Sequence, residues 1–137
     1  MHPNGVLLQR LFGALEQHDH REMGRCYQPT ATFHDIAFDL KGADRIRAMW
    51  HMICETDIRA TFDIIHANDQ EGRVALVDDY TFRDTGRKVH NVIDSRFSFS
   101  ALEEITRARA APMGRNATQS RQCPLNAWGT RERDSAA

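Results

Sequence analysis

Neither positive nor negative charge is in marked excess in this sequence. Its 137 residues carry 18 Lys+Arg against 19 Asp+Glu, a formal net charge of −1. A chain so balanced has no general attraction for nucleic acid or an anionic membrane, and neither is expected as a partner. Long apolar runs are missing too. No stretch approaches the ~20 apolar residues that a membrane helix needs. The N-terminus MHPNGVLLQR has no basic segment followed by a long apolar one, so no signal peptide is read there. Cysteine is sparse. Cys26, Cys54 and Cys123 are odd in number and widely spaced, with no CxxC or Cys/His pattern of a zinc site. Free thiols suit a reducing cytoplasm, which is the expected location. Histidine meets acid in His18-Asp19-His20 and His34-Asp35, yet no third ligand stands at a suitable spacing, so no metal is expected.

The charge that is present is unevenly placed. Residues 1–99 sum to −3 and residues 100–137 to +2, and all seven histidines fall in the first part. Length allows one domain with one core.

Apolar spacing predicts three helices. Leu8, Leu11, Phe12 and Leu15 recur at helical intervals within a first helix of about Asn4 to His18. Asp19 and Glu22 form a capping-box-like pair for a short second helix, which Gln28-Pro29 stops. Ile46, Met49, Trp50, Ile53 and Cys54 mark a third over about Ala43 to Glu55. Strands are predicted at Thr30–Asp35, Ile36–Leu40, Arg59–Ala67, Arg73–Phe82 and Gly86–Phe99, from β-branched and aromatic content between turn residues. The order implies an α+β domain, a curved antiparallel sheet wrapped around three N-terminal helices. After Phe99 the character changes. Ser100 and Glu103 are placed to cap a helix of about Ala101 to Ala111, and residues 112–137 read as mostly disordered. The domain is therefore drawn as 1–99, with 100–137 a divergent tail, native or frame-shifted.

Two acids stand out. Asp35 ends a strand and shares a face with Ala31 and Phe33. A partly desolvated carboxylate there can act as a general base; the bland alternative is a turn-capping surface acid. Asp94 lies inside the Gly86–Phe99 strand. Simple alternation puts it with His90, Val92 and Arg96, opposite a core face of Val89, Ile93 and Phe97. A bulge before Phe97 would turn it inward, where burial would favour its neutral form. His90 is either a second proton carrier or simply exposed. Tyr27, Trp50 and Tyr80 suit packing and pocket lining equally. Asp78-Asp79 places one acid on each face of its strand.

Three stretches, taken together, resemble a known family: RLFGALEQHDHREMGRCYQPTATFHD, KGADRIRAMW and GRKVHNVIDSRFSF. Residues 5–99 are similar to the nuclear transport factor 2-like superfamily, also called ketosteroid isomerase-like or SnoaL-like. The resemblance implies a cone-shaped, cystatin-like roll with a small-molecule pocket, often a homodimer. It implies Asp35 as general base and Asp94 as the neutral acid facing a substrate oxyanion, the pairing of the steroid isomerases. It implies a pocket drawing on Leu11, Phe33, Trp50, Tyr80, His90 and Arg96. Leu11 stands where the steroid isomerases carry a tyrosine, and the family's final strand has no counterpart in the pattern of residues 100–137. The expected function is binding of a small apolar molecule, with cofactor-independent isomerase, cyclase or hydrolase chemistry. An epoxide hydrolase variant would use Asp94 and Arg96, and the competing reading is a non-catalytic ligand-binding or dimerisation module.

Overall fold

A computed structural model describes residues 1–113. Three helices lead: α1 (Pro3–Glu16), α2 (His20–Gly24) and α3 (Ala43–Cys54). Six strands follow or interleave: β1 (Tyr27–His34), β2 (Asp39–Lys41), β3 (Arg59–Ala67), β4 (Glu71–Phe82), β5 (Arg87–Phe99) and β6 (Ile105–Pro112). They form one sheet in the order β2-β1-β6-β5-β4-β3. The β1–β6 pair is parallel and the others antiparallel. The sheet curves without closing, and the helices fill its concave side.

Local chemistry accounts for the helices. Asp19 accepts from the Glu22 N–H at 3.1 Å, so α2 starts where the capping pair predicts. Leu8, Leu11, Phe12 and Leu15 of α1 are all buried, as are Ile46, Met49, Trp50 and Ile53 of α3. Phe12 joins these layers to the sheet, its ring 5.6 Å from that of Phe62 and 5.9 Å from that of Phe97. Burial of such a side chain contributes roughly 1.5–3 kcal/mol.

The sheet does not stop at Phe99, which corrects the expected missing strand. Ser100 does cap, accepting from the Leu102 and Glu104 N–H groups. What it caps is a turn, with Glu103 at φ 59°, and not a helix. The chain then enters β6 in mid-sheet, between β1 and β5. Alanine and arginine favour helix locally, but two neighbouring strands offer unpaired backbone on either side, and that satisfaction of N–H and C=O groups prevails. Ile105 and Ala108 are buried in consequence. The disorder read for 112–137 lies, from residue 114 on, outside the described residues.

Two smaller differences concern strand register. Strand β1 begins at Tyr27, and its pairing with β6 slips between Tyr27 and Thr32, around Pro29. Proline offers no N–H to a ladder, so the irregularity falls there. In β3 the register slips between Ile64 and His66. The extra residue sends His66 to the outer face, opposite Arg73, and away from the face it would share with Phe62 and Ile64.

Gly72 sits where α1 crosses β4. A Cβ there would lie 2.8 Å from Leu8 Cδ1 and 3.0 Å from Phe99 Cζ. Leu8 is fully buried and has little freedom to yield. Gly72→Ala is expected to destabilise the fold by about 1–3 kcal/mol, the usual cost of overpacking, read as a lower urea midpoint at unchanged slope.

Candidate active site

An apolar cavity lies between the helices and the concave face of the sheet. Strand alternation supplies its floor. On β4 the inward residues are Val74, Leu76, Asp78, Tyr80 and Phe82, and all are buried. On β5 they include Ile93, Ser95 and Phe97, and on β6 Ala108 and Ala110. The two alanines leave room that larger residues would fill. Phe33, Met49, Trp50 and Ile53 close the helix side, and Phe33 meets Trp50 edge-on at 6.0 Å. The space open to water-sized molecules is about 50 Å³.

Two carboxyl groups reach this cavity. Asp35 follows β1 and sits half-buried at the wall. Its Oδ1 accepts from the Ala37 N–H at 2.7 Å and the Phe38 N–H at 2.6 Å, which fixes the side chain in a tight turn. Asp78 comes from the middle of β4 and is only 6% exposed. Its Oδ1 accepts from Asn91 Nδ2 at 2.9 Å, across the β4–β5 pair. Burial pushes the Asp78 carboxyl up to about 6; the Asn91 hydrogen bond opposes this only in part. One acid is thus anchored by backbone donors and the other lies in an apolar wall that favours its neutral form.

Aromatic hydroxyls complete the lining. Tyr27 Oη accepts from Trp50 Nε1 at 3.1 Å. Burial raises the Tyr27 phenol well above its ordinary value, so it stays protonated and can donate to a bound oxygen. Tyr80 lies two residues beyond Asp78 on the same face. Arg109, between the inward Ala108 and Ala110, borders the cavity through its place in β6, while its register opposite Arg96 sets it on the outer face.

Several expected pocket residues stand elsewhere. Asp94 faces outward, because β4 and β5 pair without a break from Glu71↔Ser98 to Phe82↔Arg87 and no bulge turns it in. It pairs instead with Arg73 Nε at 2.9 Å and Arg96 Nε at 3.3 Å. Burial would raise its carboxyl, but these two hydrogen bonds prevail and hold it below the usual range. Arg96 shares that outer face. His90 is there too, 2.7 Å from Asp79. Leu11 is fully buried in the core of α1 and does not line the cavity. Asp35, Phe33, Trp50 and Tyr80 line the cavity. Asp78 and its partner Asn91 were missed as site residues, while Tyr27, read equally as packing or lining, lines the cavity. A signal existed for both: each is a polar residue on a mostly apolar face.

Among the described residues no three histidine, cysteine or acidic side chains converge to hold a metal ion. No helix among them is long and apolar enough to cross a membrane.

Comparison with known proteins gives the fold a lineage. A ketosteroid isomerase from Mycobacterium sp. superposes with a TM-score of 0.71 at 15% identity, covering 85% of this chain and 97% of that one. RV0760c from Mycobacterium tuberculosis, solved with estradiol-17β-hemisuccinate, gives 0.73 at 14% identity, with 85% and 98% covered. SalBIII, an epoxide hydrolase/cyclase-like enzyme of pyran ring formation in salinomycin, gives 0.72 at 13%, with 83% and 92% covered. No curated protein sequence matches the chain. The SnoaL-like domain does, over residues 8–108, and so the chain belongs to the SnoaL-like domain family of the nuclear transport factor 2-like superfamily.

Proposed function

We propose that the protein binds a small, largely apolar carbonyl or epoxide compound and carries out cofactor-independent acid–base chemistry on it. The observation that carries this reading is the presence of two carboxyl groups of contrasting environment at one apolar cavity. Asp35 is the base. It takes a proton from carbon next to a carbonyl, or from an attacking hydroxyl. Asp78, retained in part as the neutral acid near pH 6, gives its proton to the oxygen on which charge develops. Tyr27 adds a donor to the same oxygen. The superposed isomerase and the epoxide hydrolase/cyclase-like enzyme support a reaction of this class on this scaffold. The narrow interior favours compact substrates.

The test works without the product being identified. A panel of cyclic ketones in deuterated water reports α-proton exchange by NMR, and a panel of epoxides reports ring opening. Asp35→Asn keeps an acceptor for the Ala37 and Phe38 N–H groups, so the turn survives. The variant is expected to lose turnover by about 10²–10⁴-fold, with ligand-induced thermal shifts unchanged. Saturable binding with no exchange or opening in the unsubstituted protein would leave a ligand-binding module in place of the enzyme.

A further inference from the structure

The outer face of the sheet carries a row of cations that the cavity chemistry does not use. Register aligns His66 with Arg73, Arg73 with Arg96, Arg96 with Arg109 and Arg109 with His34, across five neighbouring strands. Neighbouring strands lie about 4.8 Å apart, so Arg73 and Arg109 are anchored only about 10 Å from each other. Arg107 stands two residues before Arg109 on the same side of β6, opposite Ser98. Like charges directly opposite one another destabilise a sheet, and this sheet places three arginines in consecutive opposition.

Countercharge is incomplete. Asp94 holds Arg73 through both of its oxygens, at 2.9 and 3.4 Å, and Arg96 through one. Arg107 and Arg109 have no carboxylate partner among the described residues. Arg73, Arg96, Arg107, Arg109, His66 and Glu71 border a depression with about 220 Å³ open to water-sized molecules. Four arginines against Asp94 and Glu71 leave two positive charges there before His66 is counted. An open depression with this excess of positive charge suits a small multivalent anion. Guanidinium forks match the paired oxygens of phosphate groups.

We propose that this depression is a second binding site, on the opposite side of the sheet from the cavity, for a diphosphate-bearing anion. Arg96 and Arg107 supply the forks, and Asp94 orients Arg73 and Arg96 toward the anion. The diphosphate comes either free or as part of a nucleoside diphosphate.

Titration calorimetry on the full chain at low salt tests this, with inorganic diphosphate and ADP as probes and sulfate at matched ionic strength as control. Saturable binding of roughly one diphosphate per chain is expected, with sulfate weaker by about ten-fold or more. Arg96→Gln combined with Arg107→Gln is expected to weaken diphosphate binding by about ten-fold or more. Arg96 lies between Arg73 and Arg109, so its loss relieves opposed like charges, and thermal stability should be kept. Arg96→Lys retains charge without the fork and should fall in between. Tighter binding of ADP than of diphosphate would assign the nucleoside form, and equal or weaker binding the free anion. Equal binding of sulfate, no saturable heat, or an unchanged double variant would each overturn the proposal.

Discussion

Replacing Asp78 with asparagine is expected to make the protein more stable and less active at once. The stability half follows from linkage. The Asp78 carboxyl stands near 6 in the fold against 3.8 in the free side chain, raised chiefly by burial. Well below pH 3.8 both folded and unfolded chains carry the proton. As pH rises toward 6 the unfolded chain releases it first, so the folded state loses stability through that window. The loss levels off above pH 6 at about 3 kcal/mol, since each tenfold difference in proton affinity corresponds to about 1.4 kcal/mol. An amide does not ionise, and its oxygen still accepts from Asn91. Asp78→Asn should therefore gain about 3 kcal/mol at about pH 8 and only about 1 kcal/mol at about pH 4.5. Urea unfolding at both pH values checks this, and a gain that does not depend on pH would refute the assignment.

The activity half follows from the same substitution. An amide can donate a hydrogen bond but cannot surrender a proton. If Asp78 is the acid, turnover should fall by about 10²–10⁴-fold in the variant that is now the more stable. A buried acid that lowers stability at neutral pH, while lining a cavity with a second acid, has the signature of a group kept for chemistry. A loss below about ten-fold would reduce Asp78 to a residue that orients ligand by hydrogen bonding.

Much of this was legible in the sequence, and the failures have specific causes. The helical stripe Ile46, Met49, Trp50, Ile53 and the cap at Asp19 are local signals, and the structure follows them. Asp35 was legible because it ends a short strand whose alternate residues are apolar. Asp94 shows two signals in conflict. Alternation alone pointed it outward, while the family pairing asked for a bulge; the unbroken β4–β5 register follows alternation. The residue that does put an acid under the helices is Asp78. It interrupts the apolar series Val74, Leu76, Tyr80, Phe82, just as Asn91 interrupts Val89, Ile93, Phe97. Register then sets the two interruptions opposite each other. That pairing depends on contacts between strands, and neither strand reveals it alone. The same holds for the outer arginines. Arg73, Arg96 and Arg109 lie far apart in sequence and form a row only when three strands align.

Strand β6 is the element the sequence concealed most completely, and its removal should have the largest effect on folding. Its segment, Ile-Thr-Arg-Ala-Arg-Ala-Ala-Pro, has one large apolar residue and a composition that favours helix. Its strand identity comes from position. It pairs in parallel with β1 and antiparallel with β5, and it is the link that joins β1 and β2 to the meander β3–β5. A chain ending at Glu104 would expose two strand edges at once and lose the buried Ile105 and Ala108. The deficit is no single contact. Without β6 the sheet is two separate pieces, and the cavity floor between Phe33 and Phe97 is gone. Net stabilities of roughly 5–15 kcal/mol leave no margin for such a loss. The expected result is a broad, ligand-insensitive melt by circular dichroism. A chain ending at Met113 keeps all nine described elements and the Met113 N–H to Val92 carbonyl bond of 2.9 Å; it should melt cooperatively and respond to ligand. A sharp transition in the chain ending at Glu104, within about 5 °C of that longer form, would mean that β6 is peripheral. The sheet would then hold together through the helices alone, and the cavity would need a different floor.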